Sequence, residues 1–363
     1  MAIGIFGLPR SGKTTVFNAV TRGHAETTRS GGAQPNIGVV KVPDARLGVL
    51  EEISKPKKVI PAEVEYIDVP AAPEGMGKTK GIGGEYLNTL QRCEALLLVA
   101  RSFEDPSVAH VDETVDPYRD AATLELELAF SDLAILERRE ERIATQLKGA
   151  KSERDALTKE QALIQRIRES LEADVPVREQ HLPAEAAPLL ENFQLLSAKP
   201  LMIVFNVGED DVERAAEIET QMAQKLARPN VAAAALCGKL EMELGQMAPE
   251  DEAEFRESLG AGEPSLNRMV RLSYDLLGLL SFLTTGEDET RAWTIRKGTS
   301  AVDAAAKIHT DIQRGFIRAE IVGFADLERT RSFPEARKQG VLRSEGKTYV
   351  MQDGDVVNFL FNV

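Results

Sequence analysis

Cysteine is scarce in this chain. Cys93 and Cys237 are the only two in 363 residues. That excludes a disulfide framework and fits a reducing compartment. No apolar run is long enough to span a bilayer, so no membrane role is expected. The N-terminus runs straight into a strand and a glycine loop, which predicts no signal peptide and a cytoplasmic protein. Basic residues are the minority, 44 Lys and Arg against 58 Asp and Glu, giving a net charge of −14. A polyanion-binding surface is therefore not the default expectation, and any nucleic-acid contact needs a local basic face. The hydrophobic fraction of 43% is ample for a folded protein. The length exceeds one ordinary core and predicts two or three domains.

What is present starts at Gly7-Leu8-Pro9-Arg10-Ser11-Gly12-Lys13-Thr14. The run fits G-x-x-x-x-G-K-[ST], the phosphate-binding P-loop. Ile3 to Phe6 before it reads as a buried strand, and Thr14 to Val20 after it as the first turns of a helix. Strand, glycine loop and helix together give the motif its meaning. The backbone N–H groups from Leu8 to Thr15 can point at phosphate oxygens, helped by the helix dipole. In this reading Lys13 reaches the β- and γ-phosphates and the Thr14 hydroxyl ligates Mg²⁺. A plain glycine turn at a strand–helix junction would not account for the Gly-Lys-Thr ending.

Further apolar runs follow at Val39–Val42, Val64–Asp68, Ala95–Ala100, Leu201–Phe205 and Val231–Leu236. Their continuity suits a parallel sheet buried on both faces. Gly23 to Gly38 reads as a mobile loop, and Gly75 to Gly84 as a second glycine-rich loop. Residues 120–196 differ. Leu126, Ala129, Leu133, Leu136, Ile143 and Leu147 form a heptad-like seam broken at Glu140. Leu157, Ile164, Ile167 and Leu171 form a second seam, broken at Glu160. These predict an antiparallel helical hairpin packed on itself, inserted in the α/β domain. Thr158 to Gln161 is either a capping box or exposed helix. The tail predicts strands at Arg291–Ile295 and Phe316–Ile321, a helix over Ser300–Ile308, and a closing hairpin of Tyr349–Met351 with Val356–Phe361. That is a small α+β domain. Arg314, Arg318, Arg329, Arg331, Arg337, Lys338, Arg343 and Lys347 could give it a basic face, against the commoner outcome of a mixed-charge surface. The expected division is 1–119 and 197–277 for the nucleotide domain, 120–196 for the helical insert and 278–363 for the tail domain.

Asp68, at a strand end, is placed to help hold Mg²⁺. Asn206-Val207-Gly208-Glu209 follows a later strand, where guanine-specific enzymes carry N-K-x-D. Glu209 is one methylene longer than that aspartate, and Val207 replaces the lysine. This argues against strict guanine selection without itself proving adenine selection. Cys237-Gly238-Lys239 is placed to close over the base, or is a simple strand-to-helix turn.

These residues together resemble the YchF family of Obg-related P-loop ATPases, over essentially the whole chain. The resemblance rests on Gly7–Thr15, on Pro35-Asn36 with Gly38-Val39-Val40, on Asn206 and Glu209, and on Glu263-Pro264 with Leu266-Asn267-Arg268. In the tail it rests on Arg291–Ile295, Lys307–Asp311, Gly315–Ala319, Asp353-Gly354-Asp355 and Asn358–Val363. It implies a G domain, an inserted antiparallel coiled-coil domain and a ubiquitin-like TGS domain. It also implies binding of ATP in preference to GTP, with Mg²⁺, slow hydrolysis, and association with ribosomes or ribosomal RNA. His110 matches a histidine the family carries in a loop at the helical domain. That makes it a candidate to approach the nucleotide, against the bland reading of a loop or core histidine. A monomer or weak dimer is expected, the hairpin offering a dimer face.

The chain departs from the family in its switch loops. Gly32 stands where a threonine would sense the γ-phosphate, with Thr27 and Thr28 nearby but out of register. Ala71 replaces the glycine of D-x-x-G, Pro70 and Pro73 stiffen the segment, and Ala72 stands at the position of the catalytic glutamine of Ras-like enzymes. Gly75, Lys78, Gly81 and Gly83 still match. A slow ATPase is the leading expectation. A nucleotide-binding adaptor with negligible turnover, an RNA-binding scaffold and a GTPase are the alternatives.

Overall fold

The computed structural model describes residues 1–25, 34–69, 81–108, 110, 113–149 and 152–362. The chain runs β1 (Ala2–Phe6), α1 (Lys13–Thr21), β2 (Asn36–Lys41), α2 (Ala45–Ser54), β3 (Lys58–Ile60), β4 (Glu63–Asp68), α3 (Gly84–Arg92) and β5 (Ala95–Ser102). Then come α4 (Pro117–Leu147), α5 (Arg154–Glu172), α6 (Ala187–Phe193), β6 (Leu201–Val207), α7 (Ala215–Lys225), β7 (Val231–Leu236), α8 (Gly238–Leu244), α9 (Pro249–Ser258) and α10 (Ser265–Leu276). The C-terminal part adds β8 (Leu279–Thr285), β9 (Glu289–Arg296), α11 (Ala301–Ile308), α12 (Thr310–Arg314), β10 (Phe316–Gly323), α13 (Phe324–Thr330), α14 (Phe333–Lys338), β11 (Arg343–Glu345) and β12 (Asp355–Phe361). Contacts divide the chain into two units, Met1–Val39 with Glu65–Met269, and Val40–Val64 with Val270–Val363.

In the first unit the apolar runs form a sheet of order β2-β4-β1-β5-β6-β7. The pairs β1–β4, β1–β5, β5–β6 and β6–β7 are parallel. Every residue of β6 is buried, as is all of β5 but Ser102, as expected where helices cover both faces. Parallel strands send their C-terminal ends to one edge. The loops after β1, β4, β6 and β7 therefore gather there, the usual ligand edge of such sheets.

The helical insert is built from α4 and α5. Asp116 caps α4 by accepting from the N–H groups of Tyr118 and Arg119. Leu136, Ile143, Leu157, Ile164, Ile167 and Leu171 share one buried cluster. The two seam breaks are its cross-links: Arg139 holds Glu160 with two bonds of 2.7 Å, and Arg168 holds Glu140. Both pairs join α4 to α5. The start of the seam differs from expectation. Ala121, Leu124 and Leu128, rather than Leu126, are fully buried, because the first turns of α4 pack on the sheet core instead of on α5. Thr158 lies within α5 and bonds the Arg154 carbonyl, so it is exposed helix and no capping box.

The second unit is a mixed sheet of order β11-β10-β12-β8-β9-β3, with α11, capped by Ser300, on its core of Phe282, Ile295, Ala304 and Phe359. Two expectations are corrected here. The closing hairpin does not form. β12 pairs antiparallel with β10 and parallel with β8, so both its edges are taken, and Val350 only bridges Ser300. Residues 40–64, counted in the nucleotide domain from sequence, belong by contact to this unit. β3 pairs in parallel with β9, and Leu47 and Leu50 of α2 share a core with Leu283, Ala292, Leu327 and Val356. A segment far away in sequence supplies those partners, so no local pattern announces them. Among the described residues no helix is long and apolar enough to cross a membrane.

Candidate functional site

The loop from Gly7 to Gly12 is shaped by what surrounds it. A Cβ on Gly7 would stand 2.5 Å from the Val99 carbonyl oxygen, and one on Gly12 would stand 2.1 Å from Asn206 Nδ2. Gly12 also has φ of +86°, at the N-cap of α1. Glycine is thus required twice, once for close approach and once for both reasons. Leu8 and Ser11 are buried, Pro9 and Arg10 exposed, and Arg10 has φ of +65°. Val16 N–H closes back on the Gly12 carbonyl at 2.9 Å, which starts α1. Thr15 lies beside Thr14 in its first turn.

Asp68 ends β4, paired with Ile5 of β1. Its Oδ2 accepts from the Thr14 hydroxyl at 2.8 Å and from Asn36 Nδ2 at 3.1 Å. The two residues assigned to one cation therefore already lie side by side. Asp68 Oδ1, Lys13 Nζ and Ser11 Oγ are buried with no hydrogen-bond partner among the described residues. Lys13 as a residue is half-exposed, but its ammonium is enclosed. Burial lowers the Lys13 pKa, partly offset by the nearby Asp68 charge. Burial raises the Asp68 pKa, offset by the bonds from Thr14 and Asn36 and by Lys13. Unpaired buried polar groups are costly. Here an enclosed cation and an enclosed anion both lack full satisfaction, which a bound polyanion with a divalent cation would supply.

The residues fit Mg²⁺ with a triphosphate. Among the described residues no three His, Cys, Asp or Glu side chains converge as a metal cage. Mg²⁺ in phosphate sites is commonly held by one or two protein oxygens plus phosphates, and Thr14 with Asp68 matches that pattern.

Asn206 is buried at the end of β6. Its Nδ2 donates to the Ser11 carbonyl at 3.0 Å, and its Oδ1 accepts from Gly238 N–H at 3.0 Å. It ties the P-loop to the turn after β7. Cys237 is buried at the N-cap of α8, its thiol pKa raised by burial. Val207 is buried, whereas Glu209 is exposed and ion-paired with Lys239 at 3.2 Å, the two side chains being 54% and 61% exposed. The bond from Glu209 raises the Lys239 pKa.

His110 meets the start of the helical insert. Its Nε2 lies 2.8 Å from Asp120 Oδ2 of α4, and Arg119 binds the other oxygen of that carboxylate. Gly32, Thr27, Thr28, Pro70, Ala71, Ala72, Pro73, Gly75 and Lys78 lie outside the described residues.

The sequence reading left three neighbours out of the site. Asn36 stood only in a quoted motif, and it touches Asp68. Phe103, after β5, lies 3.5 Å from a Cβ placed on Gly208 and 4.0 Å from one on Gly12. Tyr86 of α3 is buried with its hydroxyl unpartnered among the described residues. A lone aromatic after a strand or in a helix carries no sequence signal.

A Gly-Lys-Thr loop between β1 and α1 of a parallel sheet, with Asp68 at the end of β4 and Asn206 near the end of β6, defines a P-loop nucleotide-binding fold of the GTPase type. Residues 2–131 match the family model described as a 50S ribosome-binding GTPase, and residues 279–362 match YchF-GTPase_C, described as a protein of unknown function. The chain is 37% identical over 367 residues to the Ribosome-binding ATPase YchF of Bacillus subtilis, covering 100% of both chains. It is 37% identical over 362 residues to the protein of that name from Escherichia coli O157:H7, covering 99% of each. The solved structure titled Schizosaccharomyces pombe YchF GTPase matches with a TM-score of 0.85 at 30% identity, over 99% of this chain and 97% of that one. The chain belongs to the YchF family.

Proposed function

We propose that the chain binds ATP with Mg²⁺ at the P-loop and hydrolyses it slowly, in association with the ribosome in the cytoplasm. The observation that carries the reading is the set of buried, unpartnered atoms Lys13 Nζ, Asp68 Oδ1 and Ser11 Oγ beside the loop. In this reading Lys13 and the loop amides receive the β- and γ-phosphates, and Thr14 and Asp68 hold Mg²⁺. When bound, Mg²⁺ supplies charge neutralisation on the phosphate oxygens. The protein's part is positioning and fixed charge rather than covalent chemistry. Asn206 ties the loop to the turn after β7, and Phe103 offers a ring near Gly12 for the nucleoside.

ATP over GTP is supported by Glu209. Its carboxylate is longer than the guanine-reading aspartate and is already shared with Lys239, so guanine donors would compete with an ammonium for it. The bacterial relatives are named ATPases, while the fission-yeast structure is titled a GTPase, so the preference needs measurement. The names of the bacterial relatives support ribosome association. Co-sedimentation with ribosomes, with and without ATP, tests it; no co-sedimentation in either state overturns it.

The second reading is a nucleotide-gated adaptor. Gly32, Ala71 and Ala72 favour it, since none supplies a side chain to orient water. Single-turnover hydrolysis of γ-labelled ATP and GTP, with Lys13→Ala as control, separates the readings. ATP turnover above the control supports the enzyme; tight binding without turnover supports the adaptor.

A further inference from the structure

Helix α3 brings a donor to the phosphate site that no motif announced. Glu94, just past the end of α3, donates its N–H to the Ala2 carbonyl at 2.9 Å, so the C-terminal end of the helix lies at the start of β1. A Cβ on Gly4 would stand 3.1 Å from Leu90 Cδ2, so Leu90 lies over the middle of β1. Tyr86 is four residues earlier on the same helix face. It therefore lies over the end of β1, where the P-loop begins and where Asp68 pairs with Ile5. The ring packs in the sheet core with Phe6, Leu8, Ile67 and Val69.

The hydroxyl at the tip of that ring is buried and has no hydrogen-bond partner among the described residues. The Gly7 N–H approaches it and slightly offsets the rise in pKa that burial and the Asp68 charge impose. It falls short of a full hydrogen bond, and the hydroxyl proton has no acceptor. A phenol hydroxyl carries one proton that it can donate. Asp68 Oδ1, nearby, is a buried acceptor with no donor. A buried tyrosine hydroxyl normally finds a partner. An open donor and an open acceptor at the same end of β1, close enough for the Asp68 charge to act on the phenol, point to a pairing completed when the site fills.

We propose that Tyr86 is a positioning residue of this site: when Mg²⁺ and nucleotide bind, its hydroxyl donates to Asp68 Oδ1, directly or through one water, and holds the carboxylate for the metal. The proposal rests on the nucleotide reading above. It makes α3, which follows the loop after Asp68, responsive to metal binding. It also predicts a division of effects that plain packing would not produce, because the ring and its hydroxyl act separately.

Tyr86→Phe keeps the ring and removes the donor. The experiment titrates a fluorescent N-methylanthraniloyl ATP into wild type and Tyr86→Phe, once with Mg²⁺ and once with EDTA, and melts both proteins without ligand. The expected result is about fivefold weaker binding with Mg²⁺, the size of one hydrogen bond, no change in EDTA, and a melting temperature equal or higher in the variant. Equal affinity with Mg²⁺ overturns the proposal. So does an equal loss in EDTA, or a lower melting temperature, since either would assign the hydroxyl a role in the ligand-free fold. If wild type binds no better than Lys13→Ala, the nucleotide reading itself falls; if wild type binds and Tyr86→Phe matches it, Tyr86 alone does.

Discussion

Asp132 in the helical insert and Asp68 at the P-loop are both buried carboxylates, and burial pushes both pKa values upward, Asp132 to about 6. Their surroundings differ. Asp132 accepts from the backbone N–H groups of Leu196 and Ser197 at 2.7 Å each, one on each oxygen, fastening α4 to the segment before β6. Asp68 has one oxygen doubly bonded and the other empty-handed, next to a lysine and a serine in the same condition. Other buried groups of the insert resemble Asp132. Glu127 accepts from Gly81 N–H, Ser131 from Ile82 N–H, and Arg178 pairs with Glu125. Leftover atoms such as Arg168 Nε and Arg178 Nε belong to side chains bonded elsewhere. Paired burial marks structure. Unpartnered atoms gathered in one place, on Ser11, Lys13 and Asp68, mark a place for something else to bind.

The comparison breaks if substitutions in the two places have the same consequence. The largest effect is expected at Lys13. Lys13→Ala should weaken Mg²⁺–ATP binding by more than about 100-fold, the loss of charged hydrogen bonds. It should leave the ligand-free melting temperature unchanged or higher, because the ammonium is enclosed without a partner. Calorimetric titration and thermal melting check the two halves.

Asp132→Ala should do the reverse. Two backbone N–H groups lose their acceptor, at a cost of about 2–3 kcal/mol in urea unfolding, while ATP affinity is unchanged. The titration sharpens the point. The folded-state pKa of Asp132, about 6, lies above the unfolded value. Its contribution is therefore full below about pH 4 and is lost as pH rises through about 6. Wild type should lose roughly 2 kcal/mol relative to Asp132→Asn between pH 4 and pH 7. A constant gap between the two unfolding curves would contradict the shift.

A smaller effect is expected along the hairpin. Arg139→Ala removes a half-buried pair with Glu160 and should cost about 0.5–1 kcal/mol, read by urea unfolding. The smallest is at the base loop. Lys239→Ala frees the Glu209 carboxylate and should improve GTP competition against ATP by a few-fold at low salt, fading at high salt because the pair is exposed. Unchanged competition at low salt would mean Glu209 does not face the base.

Much of the site was legible in the chain because its chemistry is local. Gly7, Gly12, Lys13 and Thr14 follow one another, and strand-end residues such as Asp68 and Asn206 follow recognisable apolar runs. Glu140 and Glu160 were legible only as interruptions; the fold makes them the ion pairs between α4 and α5. Tyr86 and Phe103 were silent. Each reaches the site from a different crossover of the sheet, a relation that neither periodicity nor spacing encodes.

The sequence by itself determined the P-loop, the parallel sheet, the helical insert and the family, since each rests on contiguous residues or short periods. Tertiary structure decided the rest. It assigned residues 40–64 to the C-terminal unit through β3–β9 pairing, set β12 between β10 and β8 instead of in a hairpin, and turned His110 to Asp120. It also decided which buried polar atoms found partners. Pairing between distant segments depends on which surfaces meet, and burial without a partner exists only once the chain has closed around the group.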